Sequence, residues 1–385
     1  MITELAPLGR DALGEEDLTA LVRTITGDPA AVPGAVRHEH VDYPIGTPST
    51  DSLHRVFGTT RDGAEWSCFV KKLQSVRHSP IIEFVPVEYR QSFIDYMPWQ
   101  LEVAVHRSGV GDLLPDGMRL PVAYRIDEYH DDRATLWMEN VVQEWGPWPI
   151  DRFERAAYLL GRLSARRQPH LVEPLLPRGG QYCTPGFALR YYAQGRILGN
   201  ALPTLADRQI WRDPMLAAAV CNLGEHGLRD ELLALGERVP AVLDALDAMP
   251  QCYQHGDASP QNLLVPHDNP NEFVAIDWGF DCPQAVGFDL GQLLIGLAHA
   301  GELAPEALPA VHTVILNAFR EGLAADGMPV DEDQVRYGYL GSLLVRAVFT
   351  ALPLELFGKA EATFELFEQR VLLTRTLVDL VSPVV

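Results

Sequence analysis

The stretch from residue 252 to residue 291, CYQHGDASPQNLLVPHDNPNEFVAIDWGFDCPQAVGFDLG, constrains this chain more than any other. Asn262 follows His255-Gly256-Asp257 five positions after the aspartate and is predicted to begin a strand. Fifteen residues further, at the end of the next predicted strand, stands Asp277-Trp278-Gly279. This order is expected to bring two carboxylates and one carboxamide to the ends of adjacent strands, converging on one cleft. Phosphoryl transfer uses such a set. One carboxylate accepts the proton of the attacking hydroxyl, while a carboxylate and a carboxamide hold Mg²⁺ against the phosphates. His-Gly-Asp alone also fits a turn around a buried histidine. Asn262 and Asp277 in strand context favour the catalytic reading.

The rest of the chain divides in character. Residues 11–27 open with acids and carry Leu18, Leu21, Val22 and Ile25 at helical spacing before Gly27, an amphipathic helix with a glycine stop. Short β-like runs follow at Val36–Tyr43, Leu53–Thr59 and Trp66–Leu73, then a helix around 92–108 with Pro98 marking a start or kink. Two more strands come at Leu120–Ile126 and Ala134–Met138. Beyond Pro149 helical periodicity dominates, at 151–167, 186–198, 214–222, 226–247, 287–299, 306–324, 332–351 and 359–381. Two short strands, Asn262–Val265 and Glu272–Ile276, interrupt it. The predicted class is α+β: a small antiparallel lobe over residues 1–140 and a larger, mostly helical lobe over 141–385.

The pattern HGDxxxxN, a hydrophobic run and then DWG resembles the aminoglycoside phosphotransferase and choline kinase-like branch of the protein-kinase-like fold. That resemblance implies a bilobal enzyme that binds ATP between its lobes and uses Mg²⁺. It implies Asp257 as the catalytic base and Asn262 and Asp277 as the metal ligands. His255 would shape the loop, and Asp289 would tie that loop to the following helix. A kinase-like site also needs a strand lysine on the phosphates, oriented by a helix glutamate. The chain has only three lysines, Lys71, Lys72 and Lys359, and two of them are adjacent. Strand alternation puts Ser67, Phe69 and Lys71 on one face and Trp66, Cys68 and Val70 on the other, so both lysines cannot enter one cleft. Similarity to the family's FVK…E arrangement selects Lys71, with Glu102 as its partner and Glu88 as a rival. Leu136–Val141 resembles the hinge that pairs with adenine, which points to Glu139 and Val141. The segment Pro44–Ser52, with the single glycine Gly46, stands where a phosphate-covering loop would lie. Leu160-Gly161-Arg162-Leu163 resembles a structural helix beneath the site.

The acceptor is harder to read. With 31 basic against 52 acidic residues, a formal charge of −21, the chain would repel a phosphate backbone, so no nucleic acid partner is expected. The acidity suits a cationic acceptor such as an aminoglycoside or another amino-sugar antibiotic, and equally a merely soluble surface. Choline-like and sugar acceptors fit the fold as well. Asp207, Asp213, Glu225, Asp230, Glu231 and Glu237 lie in an insertion expected to shape the acceptor pocket, and Asp281 is the acid expected nearest the acceptor. Trp145, Trp148 and Trp211 could line a pocket or fill a core. His38-Glu39-His40 is not a metal motif, because a strand puts Glu39 opposite both histidines. Five cysteines without CxxC spacing, no signal-like start and no membrane-length apolar run lead to a cytoplasmic expectation. A kinase-like module without catalysis is the alternative, opposed by the presence of every core residue. Protein phosphorylation is disfavoured because Ser259 stands where serine/threonine protein kinases usually carry lysine.

Overall fold

Five strands form one antiparallel sheet: β1 (Pro33–His40), β2 (Thr50–Thr60), β3 (Glu65–Gln74), β4 (Ala123–Tyr129) and β5 (Arg133–Glu139), in the order β1-β2-β3-β5-β4. The computed structural model describes residues 3–43, 45–144, 146–176, 184–359 and 362–385. Pro44, Trp145 and Cys183 lie outside them. Two compact units emerge. The first comprises Met1–Gly111, Arg119–Glu144 and Val265–Gly279; the second comprises Asp112–Met118, Trp145–Leu264 and Phe280–Val385. Val265–Gly279 joins the first unit because its backbone bonds to the end of the sheet region, Glu144 N–H to Val265 O at 2.8 Å, and because Arg119 Nε reaches Glu272 at 2.8 Å.

Strand alternation gives the sheet of the first unit two different faces. Trp66, Cys68 and Val70 of β3 bury against Leu18, Leu21 and Val22 of α1 (Glu15–Thr26), with Leu5, Leu8, Val56 and Trp137 completing that core. Three fully buried aliphatic side chains contribute about 1.5–3 kcal/mol each, which holds α1 on the sheet. The helix stops at Gly27, which takes the left-handed conformation at φ 69°. On the opposite face Phe69, Leu73, Leu136 and Met138 meet Val103 of α3 (Leu101–Arg107). The helix expected over 92–108 is two helices, α2 (Val87–Tyr96) and α3, because Pro98 cannot continue the first. His38 and His40 share a face with His54, and His38 Nε2 lies 2.9 Å from His54 Nδ1; Glu39 turns away to Arg55.

The second unit is helical around one short antiparallel pair, β6 (Gln251–Gln254) with β7 (Cys282–Ala285). Its main helices are α4 (Ile150–Arg166), α5 (Leu228–Asp247), α6 (Asp289–His299), α7 (Leu308–Ala325), α8 (Glu332–Arg346) and α9 (Phe364–Val381). α4 and α7 cross closely: a Cβ on Gly161 would collide with Phe319 O, and one on Gly322 with Tyr158 O. Glu332–Leu356 has the length and apolar composition to cross a membrane, and 72% of its apolar window is buried inside the protein. β6 was not expected, since four residues ending in glutamine carry no strand signature. Asn262 ends a 3₁₀ turn, Pro260–Asn262, and the strand after it is only Leu263–Leu264.

Candidate active site

Lys71, Glu102 and Asp277 meet within the first unit. Lys71 projects from β3 to the face that carries α3, and its Nζ lies 2.6 Å from Glu102 Oε2 and 2.8 Å from Asp277 Oδ1. Lys71 is 8% exposed and Glu102 3%. Burial pulls the ammonium toward neutrality, but the two carboxylates outweigh it, and Lys71 is held above the usual lysine range. Lys72 points to the other face, where Nζ bonds Asp11 Oδ2 at 2.9 Å and Leu8 O at 3.2 Å. Asp11 also accepts from Tyr129 at 2.6 Å and Thr135 at 2.7 Å. The lysine pair thus divides its work. One amine faces the carboxylates, and the other pins the N-terminal segment to the sheet.

Asp277 has φ 64°, in the left-handed region that non-glycine residues enter rarely. Such backbone costs about 1–3 kcal/mol and persists where its surroundings dictate it. Here the Lys71 contact holds the side chain on one side, and the buried Trp278 indole donates to Ala275 O at 2.7 Å on the other. The result is a partly exposed carboxylate, its side chain 34% accessible, aimed by a fixed turn.

Asp257 and Asn262 belong to the second unit, on the loop that leaves β6. Buried Asp289, the first residue of α6, accepts the N–H groups of His255 and Gly256, both at 2.9 Å. Burial pushes the Asp289 carboxyl up to about 6 despite those two bonds. Gly256 has φ 85°, and a Cβ there would strike Phe280 O, so both conformation and space demand glycine. Asn262 Nδ2 donates to Asp257 O at 2.8 Å and to Asp257 Oδ2 at 3.1 Å.

The remaining expected site residues fare differently. Glu139 ends β5 and Val141 lies two residues on, half-buried. The Glu139 N–H already donates to Val122 O at 2.8 Å, so it has no donor left for a base. Burial pulls its carboxyl up, but Arg119 and the Val122 N–H hold it below the usual range. Arg119, absent from the sequence reading, bridges Glu139 and Glu272.

Asp281 must be corrected. Its carboxylate is fully buried and pairs with the equally buried Arg167 at 2.7 Å, so it presents nothing to an acceptor. Most of the acids in the insertion also have structural duties. Asp213 caps Pro214–Leu223, Asp207 accepts from the Gln209 N–H, Asp230 pairs with Arg229, and Glu225 and Glu231 pair with Arg375. Trp211 donates to Leu205 O, and Trp148 packs on Phe153. Removing one partner of a buried ion pair typically costs about 3–5 kcal/mol, so Asp281→Ala should lower the urea midpoint sharply. A variant as stable as the parent, with a raised acceptor KM, would return Asp281 to the acceptor.

Residues 153–322 match the model of the phosphotransferase enzyme family, APH. Within the matched segment fall Asp257, Asn262, Asp277 and Asp289, while Lys71 and Glu102 precede it. No curated protein matches the chain. Among solved structures, the chain is similar to spectinomycin phosphotransferase APH(9)-Ia in its AMP-bound complex, at 11% identity and a TM-score of 0.49, covering 96% of this chain and 98% of that one. Amicoumacin kinase in complex with AMP-PNP, Ca²⁺ and Ami is similar at 12% identity and a TM-score of 0.45, covering 89% and 90%. Aminoglycoside phosphotransferase APH(3'')-Id from Streptomyces rimosus, in complex with ADP and streptomycin, is similar at 16% identity and a TM-score of 0.40, covering 86% and 98%.

Proposed function

We propose that this phosphotransferase moves the γ-phosphoryl group of ATP to a hydroxyl of a small molecule, with Mg²⁺ as cofactor. The observation that carries this reading is the buried contact of Lys71 with Glu102 and Asp277. An ammonium fixed by one carboxylate, beside a second carboxylate that stays partly exposed, suits the job of gripping phosphates next to a metal-bound oxygen. In this proposal the first unit is the nucleotide-binding part, with Glu139 and Val141 near the base. The second unit is the catalytic and acceptor-binding part.

The donor chemistry fits Mg²⁺, a hard cation that takes oxygen ligands and keeps much of its water. Asp277 would supply a carboxylate oxygen. Asn262 spends its amide nitrogen on Asp257, which leaves Oδ1 as the ligand atom. When bound, the ion supplies positive charge against the phosphate oxygens. Asp257 orients the acceptor hydroxyl and takes its proton, Lys71 holds the phosphates, and Asp289 keeps the Asp257 loop in place. The proposed acceptors are amino-sugar antibiotics, in keeping with the formal charge of −21. A cytoplasmic setting is proposed with them, on the reduced state of Cys68, Cys221, Cys252 and Cys282.

A coupled ADP-release screen tests the reading, run over aminoglycosides, amino sugars, choline analogues, nucleoside antibiotics and simple sugars. At least one acceptor should stimulate ADP release, EDTA should stop it and added Mg²⁺ should restore it. A thermal shift with ATP but no turnover across the panel would establish the non-catalytic module instead.

A further inference from the structure

Arg346, the last residue of α8, stands far in sequence from the catalytic loop and meets it in the second unit. Its Nη1 donates to Gly256 O, and its Nη2 lies 3.6 Å from Asp257 Oδ1. The guanidinium sits over the rings of Phe288, 5.4 Å from the centroid, and Tyr192, at 5.8 Å. The Tyr192 hydroxyl also donates to Arg346 O at 3.2 Å. An arginine gripped this way is already ordered, so it loses little freedom in holding a second group. Its charge has no nearer carboxylate among the described ion pairs than Asp257.

The Gly256 peptide is therefore clamped from both ends. Its N–H goes to Asp289 Oδ1, and its carbonyl goes to Arg346. Asp257, the next residue, is fixed by Asn262 on one carboxylate oxygen and faced by Arg346 on the other. We infer that Arg346 is a positioning residue for phosphoryl transfer: it fixes the Gly256 carbonyl and sets the orientation of the Asp257 carboxylate toward the acceptor hydroxyl. This rests on the reading of Asp257 as the acceptor's base. It assigns no contact between Arg346 and the nucleotide.

The test compares Arg346→Met, Arg346→Lys, Arg346→Ala and, as a control on the underlying reading, Asp257→Asn. The acceptor is the one the ADP-release screen returns, or water, as slow ATP hydrolysis, if it returns none. Misplacing a catalytic group by about 1 Å costs roughly 10²-fold, so Arg346→Met should lose about that in kcat while the KM for ATP stays nearly constant. Arg346→Lys should recover only part of the loss, since an ammonium cannot serve both oxygens in the same plane. Guanidinium chloride at low, non-denaturing concentration should rescue Arg346→Ala in part. Turnover of Arg346→Met within twofold of the parent overturns the inference if Asp257→Asn is inactive. Parental turnover of Asp257→Asn overturns the catalytic reading itself. If Arg346→Met does not fold, Arg346→Lys is read by the same criteria. A loss that guanidinium does not restore, with an equal loss of ATP binding, reduces Arg346 to a structural residue.

Discussion

Replacing Asp257 with alanine should reduce phosphoryl transfer by about 10²–10⁴-fold, the range that a positioned general base contributes, while ATP binding stays close to that of the parent. The side chain is about a quarter exposed, so its removal opens no sealed cavity. Its backbone stays where it is, because the loop is held by bonds that do not use the Asp257 carboxylate: His255 and Gly256 N–H to Asp289, Gly256 O to Arg346, and Asp257 O to Asn262. Asp257→Asn is the sharper variant. It keeps the volume, but its one amide oxygen can accept from Asn262 or face Arg346 and not both, and it cannot take the proton. Single-turnover measurements on both variants, with ATP affinity from calorimetry, separate chemistry from binding. An asparagine variant that turns over at the parental rate would remove Asp257 from the chemistry.

The sequence exposed the candidate residues of the proposed site more readily than their surroundings, and for a physical reason. Chemistry needs fixed residue types at fixed offsets on a local frame, so His255, Asp257, Asn262 and Asp277 can be read from one short stretch. Alternation along β3 meant that Lys71 and Lys72 could not share a cleft, because a strand sends adjacent side chains to opposite faces, and the family resemblance then selected Lys71. What went unseen was long-range. Arg346 reaches Asp257 from the end of a helix 89 positions on, and Arg119 joins Glu139 to Glu272 across three segments. Nothing local distinguishes either arginine from one on a solvated surface. Asp281 misled for the converse reason: an acid four positions beyond Asp277 looks available until Arg167 is folded against it. The helix break at Pro98 was legible as a kink or start, but two separate helices required the intervening turn.

Lys71→Met should abolish efficient transfer and also destabilise the protein in a manner that depends on pH. Glu102 lies 2.6 Å from the amine and is almost fully buried. Burial pushes its carboxyl up, and Lys71 is the chief group opposing that. Removing one partner of a buried pair costs about 3–5 kcal/mol, less whatever Glu102 recovers by taking a proton. In the variant the folded state then binds a proton that the unfolded state has released, so stability falls as pH rises above the ordinary glutamate range, about 4.3. The melting temperatures of variant and parent should thus lie closest at acidic pH and separate toward neutrality. Lys71→Met combined with Glu102→Leu removes the stranded carboxylate, so the double variant should regain much of the lost stability and lose that pH dependence. It should remain inactive, because nothing replaces the amine beside Asp277. Lys71→Arg should not restore turnover either, as a planar guanidinium cannot occupy the space of a compact ammonium held between two carboxylates. A double variant that regained both stability and turnover would show that the buried pair serves only the fold, and the phosphate-gripping role of Lys71 would have to be abandoned.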